Sequence, residues 1–93
     1  MYESDDVMAF HDIDPKAPVH MLVVPRAHHN NIATLTEADP ALAAELMRVA
    51  ASLGNANHGG FRVVLNTGPD GGQSVNHVHA HVLGGRGLGW PPG

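Results

Sequence analysis

The run from His77 to Leu83 alternates histidine with apolar residues, and it constrains the fold more than any other segment. On a β-strand, successive side chains point to opposite faces, so His77, His79 and His81 are predicted to line one face of a strand. Same-face neighbours then stand about 6.6 Å apart, which is two strand rises of roughly 3.3 Å. At that spacing one ring can attack a bound phosphorus while its neighbour donates a hydrogen bond to a non-bridging oxygen.

Other segments predict a sheet around this strand. Short strands are expected on both sides of an Asp-rich turn at residues 4–6, and longer ones at Val19–Val24 and Phe61–Asn66. A Gly-rich loop connects the last of these to the histidine run, and a strand–loop–strand order of this kind favours antiparallel neighbours.

One helix is predicted after residue 39. Asp39 is a candidate N-cap, Pro40 suits the first helical position, and apolar residues recur at helical spacing up to a stop at Gly54. No other segment has a convincing helical period. We therefore predict an α+β fold in a single domain over residues 1–93, with an antiparallel sheet of about five strands and one long helix.

Composition narrows the partners. The chain has 5 basic and 9 acidic residues, a formal charge of −4, and no cluster of Lys or Arg, which argues against a nucleic-acid surface or an anionic membrane. A bound phosphate would have to be held by backbone N–H groups and imidazoles. The absence of cysteine excludes disulfides and thiol chemistry. With no signal peptide or spanning apolar stretch, a cytoplasmic location is expected.

A zinc site built from His20, His77, His79 and His81 is another possible interpretation of these histidines. Zinc requires its ligands to converge at about 2.0–2.1 Å, whereas the three histidines of the run extend over about 13 Å of strand. We therefore expect no metal and no cofactor.

The chain resembles the histidine triad (HIT) superfamily, whose signature is His-φ-His-φ-His-φ-φ with φ apolar. More specifically, it is similar to the Hint branch, the purine nucleoside phosphoramidases. The matching segments occur in family order, and they are residues 10–15, 17–18, 20–25, 28, 64–66, 71–74, 77–83, 84–86 and 90–93.

The resemblance implies hydrolysis of purine nucleoside 5′-phosphoramidates through a covalent nucleotidyl-histidine. His79 would attack the α-phosphorus and His81 would donate to a non-bridging oxygen. The backbone carbonyl of His77 would hold the Nδ1 hydrogen of His79 and present Nε2 for attack. His20 would join the proton network.

The resemblance also implies a set of substrate-binding residues. Phe10 and Ile13 would wall the purine, Asp12 would accept from the ribose hydroxyls, and Asn66 would line the ribose–phosphate side. Ser74 and the backbone N–H groups near Gly72 and Gln73 would meet the phosphate or the leaving group. Trp90, in the C-terminal tail, would reach the site of the partner subunit and shape its specificity.

A homodimer with one continuous sheet is implied as well, joined through the helix and the Phe61–Asn66 strand. Family members carry a helix before the stretch that matches Tyr2–Glu3, and this helix is expected to be absent here. Two alternatives stay open. One is a purine-nucleotide-binding or scaffolding dimer with little turnover, and the other is a dinucleoside polyphosphate hydrolase.

Overall fold

Five antiparallel strands form one sheet in the computed structural model, which describes residues 2–93. The strands are β1 (Tyr2–Glu3), β2 (Val7–His11), β3 (Val19–Pro25), β4 (Phe61–Val64) and β5 (Ala80–Gly84). Their spatial order is β1-β2-β3-β5-β4, so the last strand of the chain lies between β3 and β4. The predicted antiparallel sheet is confirmed, although β4 ends two residues earlier than expected.

The chain has two helices, α1 (Ile32–Ala38) and α2 (Pro40–Gly54). α2 packs against one face of the sheet, and α1 packs against α2. The helix predicted after Asp39 is confirmed as α2, with Asp39 Oδ1 accepting from the Leu42 N–H at 3.1 Å. The expectation of a single helix is wrong, because α1 precedes it.

Capping chemistry explains why α1 forms. Asn31 and Thr34 make a capping box: Asn31 Oδ1 accepts from the Thr34 N–H at 2.9 Å, and Thr34 Oγ1 accepts from the Asn31 N–H at 3.2 Å. The Asp39 N–H donates to the Leu35 carbonyl, so Asp39 ends α1 and begins α2. The β-branched residues in α1 lower its intrinsic helix propensity, and Leu35 is its one buried side chain, so the sequence carries only a weak helical signal there.

One face of the sheet packs into the hydrophobic core, and the opposite face carries the histidines of β3 and β5. The face toward the helices supplies Val7, Ala9, Val23 and Val82 to a core that also contains Leu46. The opposite face carries the alternate residues of the same strands. These are Met8 and Phe10 on β2, His20, Leu22 and Val24 on β3, and His81 on β5.

The histidine run is only partly a strand. β5 begins at Ala80, so His81 lies within the ladder while His77 and His79 precede it. The expectation that one strand carries all three is therefore wrong for the first two. The alternation nevertheless continues upstream, because Val78 is buried and both histidines beside it are half-buried. Among residues 2–93, no helix is long and apolar enough to cross a membrane.

Candidate active site

His79 is held in a single tautomer by the chain just before it. Its Nδ1 lies 2.8 Å from the backbone carbonyl oxygen of His77. A carbonyl can only accept, so Nδ1 carries the hydrogen and, in the neutral ring, Nε2 keeps its lone pair. The structure thus contains the contact between His79 Nδ1 and the His77 carbonyl that the family resemblance implied.

His81 is oriented by a chain of hydrogen bonds that begins at the Lys16 backbone. The Lys16 N–H donates to Nδ1 of His20 at 3.0 Å, so the hydrogen of neutral His20 resides on Nε2. That Nε2 lies 2.9 Å from Nδ1 of His81 and donates to it. Consequently neutral His81 carries its own hydrogen on Nε2, the nitrogen that faces away from His20.

The rings of His79 and His81 meet edge to face, with centroids 5.0 Å apart and planes at 70°. The two rings are therefore neighbours; in their neutral forms, His79 keeps a lone pair on Nε2 and His81 carries its hydrogen on Nε2. Burial lowers the pKa of His81, and the neighbouring charges of His79 and His20 lower it further, while Asp12 opposes the shift. The shift favours the neutral form of His81.

Asp12 stands at the end of β2 beside this pair, with Oδ2 3.5 Å from Nε2 of His20. Nε2 has one hydrogen, and the shorter contact to His81 takes it, so Asp12 acts on His20 through its charge. The other carboxylate oxygen accepts from the Asp14 N–H at 2.8 Å.

Asp12, His20 and His81 also place three potential metal-ligand atoms within 4.8 Å of one another. A metal would need the lone pair of His20 Nε2, and that would force the ring hydrogen onto Nδ1, where it would oppose the Lys16 N–H. The hydrogen-bond pattern therefore fits a proton network better than a metal centre. It also separates His77 from this group, since His77 Nε2 donates to the Pro25 carbonyl at 2.9 Å.

His77 is held from the loop that follows β3. His28 stacks on its ring, with centroids 5.3 Å apart and planes at 15°. The next peptide is fixed as well, because the Val78 N–H donates to the His29 carbonyl at 2.8 Å. Within residues 2–93, Nδ1 of His77 is buried without a hydrogen-bond partner.

An apolar cavity of about 390 Å³ adjoins His79 on the open face of the sheet. Its size and character suit a nucleobase. The lining residues are Met8, Phe10, Leu22, Val24, Val75, His77 and His79. Sequence analysis identified Phe10 but missed the aliphatic residues of β2 and β3, although Leu22 and Val24 have the same strand parity as His20.

The loop before the triad differs from the expectation in one respect. The Gly72 N–H donates to the Pro69 carbonyl at 3.1 Å, and the Gln73 N–H donates to the Gly68 carbonyl at 3.0 Å. Both amides are thus engaged within the loop. Gly72 has φ 79°, a conformation that favours glycine, so its role there is to turn the chain.

Free backbone donors occur directly after those two positions. Ser74, Val75 and Asn76 are exposed, and their N–H groups make no hydrogen bond to another described residue. Successive unpaired amides in a bend are a common way to hold an anion. The Ser74 side chain is exposed at the start of this segment.

The other expected site residues lie farther from the triad or serve the loop. Ile13 is fully exposed and does not line the apolar cavity. Asn66 donates from Nδ2 to the Gly71 carbonyl at 2.7 Å, closing the loop. Trp90 is 83% exposed. It lies in a tail that is anchored by Arg62, whose guanidinium donates to the Gly89 carbonyl at 2.7 Å.

Comparison with known proteins agrees with this geometry. The family model described as HIT domain matches residues 1–88. An uncharacterized HIT-like protein of Synechococcus elongatus is 46% identical over 96 residues, covering 100% of this chain and 83% of the relative. A second, from Synechocystis sp., is 43% identical over 97 residues with the same coverage.

Solved structures give the same result. A HIT family hydrolase from Legionella pneumophila superposes with a TM-score of 0.93 at 40% identity, covering 100% of this chain and 86% of that one. A histidine triad protein from Clostridium difficile has a TM-score of 0.87 at 37% identity, covering 96% of this chain and 80% of that one.

Proposed function

The chain belongs to the HIT family, and we propose that it hydrolyses purine nucleoside 5′-phosphoramidates through a covalent nucleotidyl intermediate on His79. Its fold is that of HIT family hydrolases. The single observation that carries the proposal is the 2.8 Å contact between His79 Nδ1 and the His77 carbonyl, which leaves Nε2 as a directed nucleophile.

His81 is the proposed partner in the transition state. Its Nε2 hydrogen, assigned by the relay from Lys16 through His20, would be donated to a non-bridging oxygen as negative charge develops there. The unpaired amides of residues 74–76 would supply further donors to the same phosphoryl group. Neutral donors of this kind suit a chain without a lysine or arginine cluster.

The reaction balances in two steps. In the first, the Nε2 lone pair of His79 forms a bond to the α-phosphorus, the phosphorus–nitrogen bond breaks, and the amine departs with a proton from water. In the second, water attacks the same phosphorus, the bond to Nε2 breaks, and its electron pair returns to the imidazole. The proton that this water loses neutralises the hydroxide left by the first step, and the nucleoside monophosphate leaves.

The apolar cavity next to His79 supports a nucleoside substrate over a simple amino phosphate. We propose that it accepts the purine against Phe10 and Leu22, with its faces in contact with apolar side chains. Asp12 would accept from the ribose hydroxyls, since a carboxylate is an acceptor and vicinal hydroxyls are donors.

A homodimer is part of the proposal. β4 lies at one end of the sheet order, and Phe61 on that strand is exposed, as is Met47 on α2. Pairing β4 with a second copy would cover both features and join the two sheets. Sedimentation of an active protein as a stable monomer would contradict this part.

The test is single-turnover mass spectrometry with an adenosine 5′-phosphoramidate. We expect a transient mass increase of one adenylyl group, located on His79 by peptide mapping, followed by release of AMP. Saturable AMP binding without turnover would favour the binding or scaffolding alternative. Cleavage of a dinucleoside polyphosphate but not of the phosphoramidate would favour the other alternative.

A further inference from the structure

We propose that Gln73 is a positioning residue that holds the nucleophile segment in place by tying three loops together. The inference rests on the proposed function and adds a role that the resemblance did not imply, since Gln73 was expected to meet the substrate. Its side chain acts on the reaction through the backbone segments it joins.

The side-chain amide of Gln73 is fully used. Oε1 accepts from the Gly68 N–H at 3.0 Å, while Nε2 donates to the Asn30 carbonyl at 2.6 Å and to the Val75 carbonyl at 3.0 Å. Both amide hydrogens thus have partners, and no side-chain donor remains for a phosphate. The three partners lie on the turn after β4, the loop after β3, and the segment that leads into the triad.

The segment from His77 to His79 needs such support because it lies outside the sheet. β5 begins at Ala80, so these residues have no ladder partner. Their contacts come instead from the last residue of β3, whose Pro25 carbonyl accepts from His77, and from the loop after it. In that loop the His29 carbonyl accepts from the Val78 N–H and the His28 ring stacks on His77. The loop after β3 therefore acts as the neighbour that a strand would otherwise provide.

Gln73 is the side chain that links this bracing loop to the loop before the triad. Its bond to the Asn30 carbonyl lies one residue from His29, whose carbonyl holds the triad segment. His28 is tied into the same loop, because its Nε2 lies 3.0 Å from Asn30 Oδ1. Losing the Gln73–Asn30 bond would therefore weaken the contacts between the loop after β3 and the segment that carries His79.

The bond to Val75 has a second consequence. In a trans peptide, the carbonyl and the following N–H point in opposite directions. Fixing the Val75 carbonyl toward Gln73 therefore fixes the Asn76 N–H away from it. Asn76 has one of the unpaired amides of the proposed phosphoryl site, so Gln73 also orients an anion donor without touching the anion.

The decisive variants are Gln73→Glu and Gln73→Met, measured beside wild type on an adenosine 5′-phosphoramidate. Gln73→Glu keeps the acceptor for Gly68 but loses both donors, and Gln73→Met keeps the length and loses all three bonds. We expect kcat to fall about 10- to 100-fold in both, since small displacements of a reacting group carry losses of this order, while KM stays within about threefold.

A pH profile separates positioning from general damage. Below the pKa of the introduced carboxyl, Gln73→Glu regains a hydrogen to donate, so its kcat relative to wild type should rise as the pH falls, whereas that of Gln73→Met should not. Asn57→Asp is the matched control, because it removes a side-chain donor to the Gly54 carbonyl at the far end of α2. It should leave kcat unchanged.

Three results would overturn the inference: a rise in KM at unchanged kcat, an equal loss of kcat in Asn57→Asp, or parallel pH profiles for the two Gln73 variants. If the wild-type protein does not hydrolyse phosphoramidates, the proposed function fails, and hydrogen exchange then tests separately whether Gln73 holds the three loops together. Faster exchange of the Gly68 and Val78 amides in Gln73→Met, at unchanged exchange in β3, supports it. Unchanged exchange at both amides refutes it.

Discussion

His81 and His79 are two residues apart, yet they are held by different kinds of structure. His81 lies within β5, opposite Leu22 on one neighbouring strand and Val64 on the other. His79 lies before the strand and is held by the carbonyl of His77 and by the bracing of that segment. One ring of the pair is a sheet residue, and the other is a loop residue.

This difference predicts which substitutions near the two rings should lower stability and which should lower activity alone. The backbone that carries His81 can move only if the sheet deforms, and the same sheet forms one wall of the hydrophobic core. A ring on a braced loop can move when one or two side-chain contacts are lost. Changes around His81 should therefore affect folding and activity together, whereas changes around His79 should affect activity first.

His79→Ala should produce the largest effect on the loop side. Removing the proposed nucleophile should lower turnover of an adenosine 5′-phosphoramidate by about 10³-fold or more, since loss of a covalent catalytic group carries penalties of that size. AMP affinity should stay within a few-fold, and the thermal midpoint should change little. His58→Ala is the control, because His58 is exposed beyond the end of α2. Full activity in His79→Ala would mean that another group attacks phosphorus.

His20→Ala should affect both quantities on the sheet side. His20 is 5% exposed and carries the relay to His81, so its loss frees the tautomer of His81 and strands the Lys16 N–H. We expect kcat to fall about tenfold or more and the free energy of unfolding to fall by roughly 1–3 kcal/mol.

Val23→Ala separates the two effects of that change. Val23 lies on the core face of β3, away from the relay. Its truncation should lower stability by a similar amount, roughly 1–3 kcal/mol, without lowering kcat. Chemical denaturation and steady-state kinetics on both variants measure the difference. If they lost activity in proportion to stability, the relay would have no separate role.

The pH dependence of stability should identify His81 specifically. Its pKa is lowered in the folded state, first by burial, so the unfolded chain binds more protons as the pH falls through the ordinary histidine range. The stabilising contribution is therefore complete above the unfolded pKa, near 6.5, and is lost as the pH falls from there toward the folded value. Urea unfolding at pH 7.5 and 5.5 should show a smaller loss in His81→Gln than in wild type. Equal losses would contradict the assignment.

His28→Ala should give the smallest effect, and it tests whether the loop after β3 holds His77 through the stacked ring. It removes the ring stacked on His77 and should lower stability by about 0.5–1.5 kcal/mol and kcat by a few-fold. His29→Ala is the matched control, since only the backbone carbonyl of His29 contacts Val78, and alanine retains it. Steady-state kinetics and thermal unfolding compare the pair. Equal effects on kcat would exclude a specific role for the stacked ring.

Much of the fold could be predicted because it follows from local patterns. The strands alternate, and α2 begins with Asp39 and Pro40 in their preferred positions. The helix α1 could not be predicted from periodicity, because its sequence has β-branched residues and a single buried side chain, Leu35. Its one clear sequence signal was the pairing of Asn31 with Thr34.

The candidate site was predicted less evenly. His20 was expected near the triad, and it lies in hydrogen-bond contact with His81. Ile13 was expected at the purine and is instead exposed beside the cavity-forming strands. Gln73 was expected at the phosphate, but its amide is engaged by backbone groups. These positions depend on how loops pack, which leaves no periodic signal in the chain.

By itself the sequence determined the alternation of side chains along the histidine run and the start of the long helix. Those properties depend on the period of a strand and the chemistry of a cap, which act over a few residues. Only the tertiary structure decided where β5 begins, which nitrogen of His20, His79 and His81 keeps its lone pair, and which amides of the loop before the triad stay unpaired. Each of these depends on hydrogen bonds between segments far apart in sequence, such as Lys16 to His20 to His81 and Gln73 to Asn30.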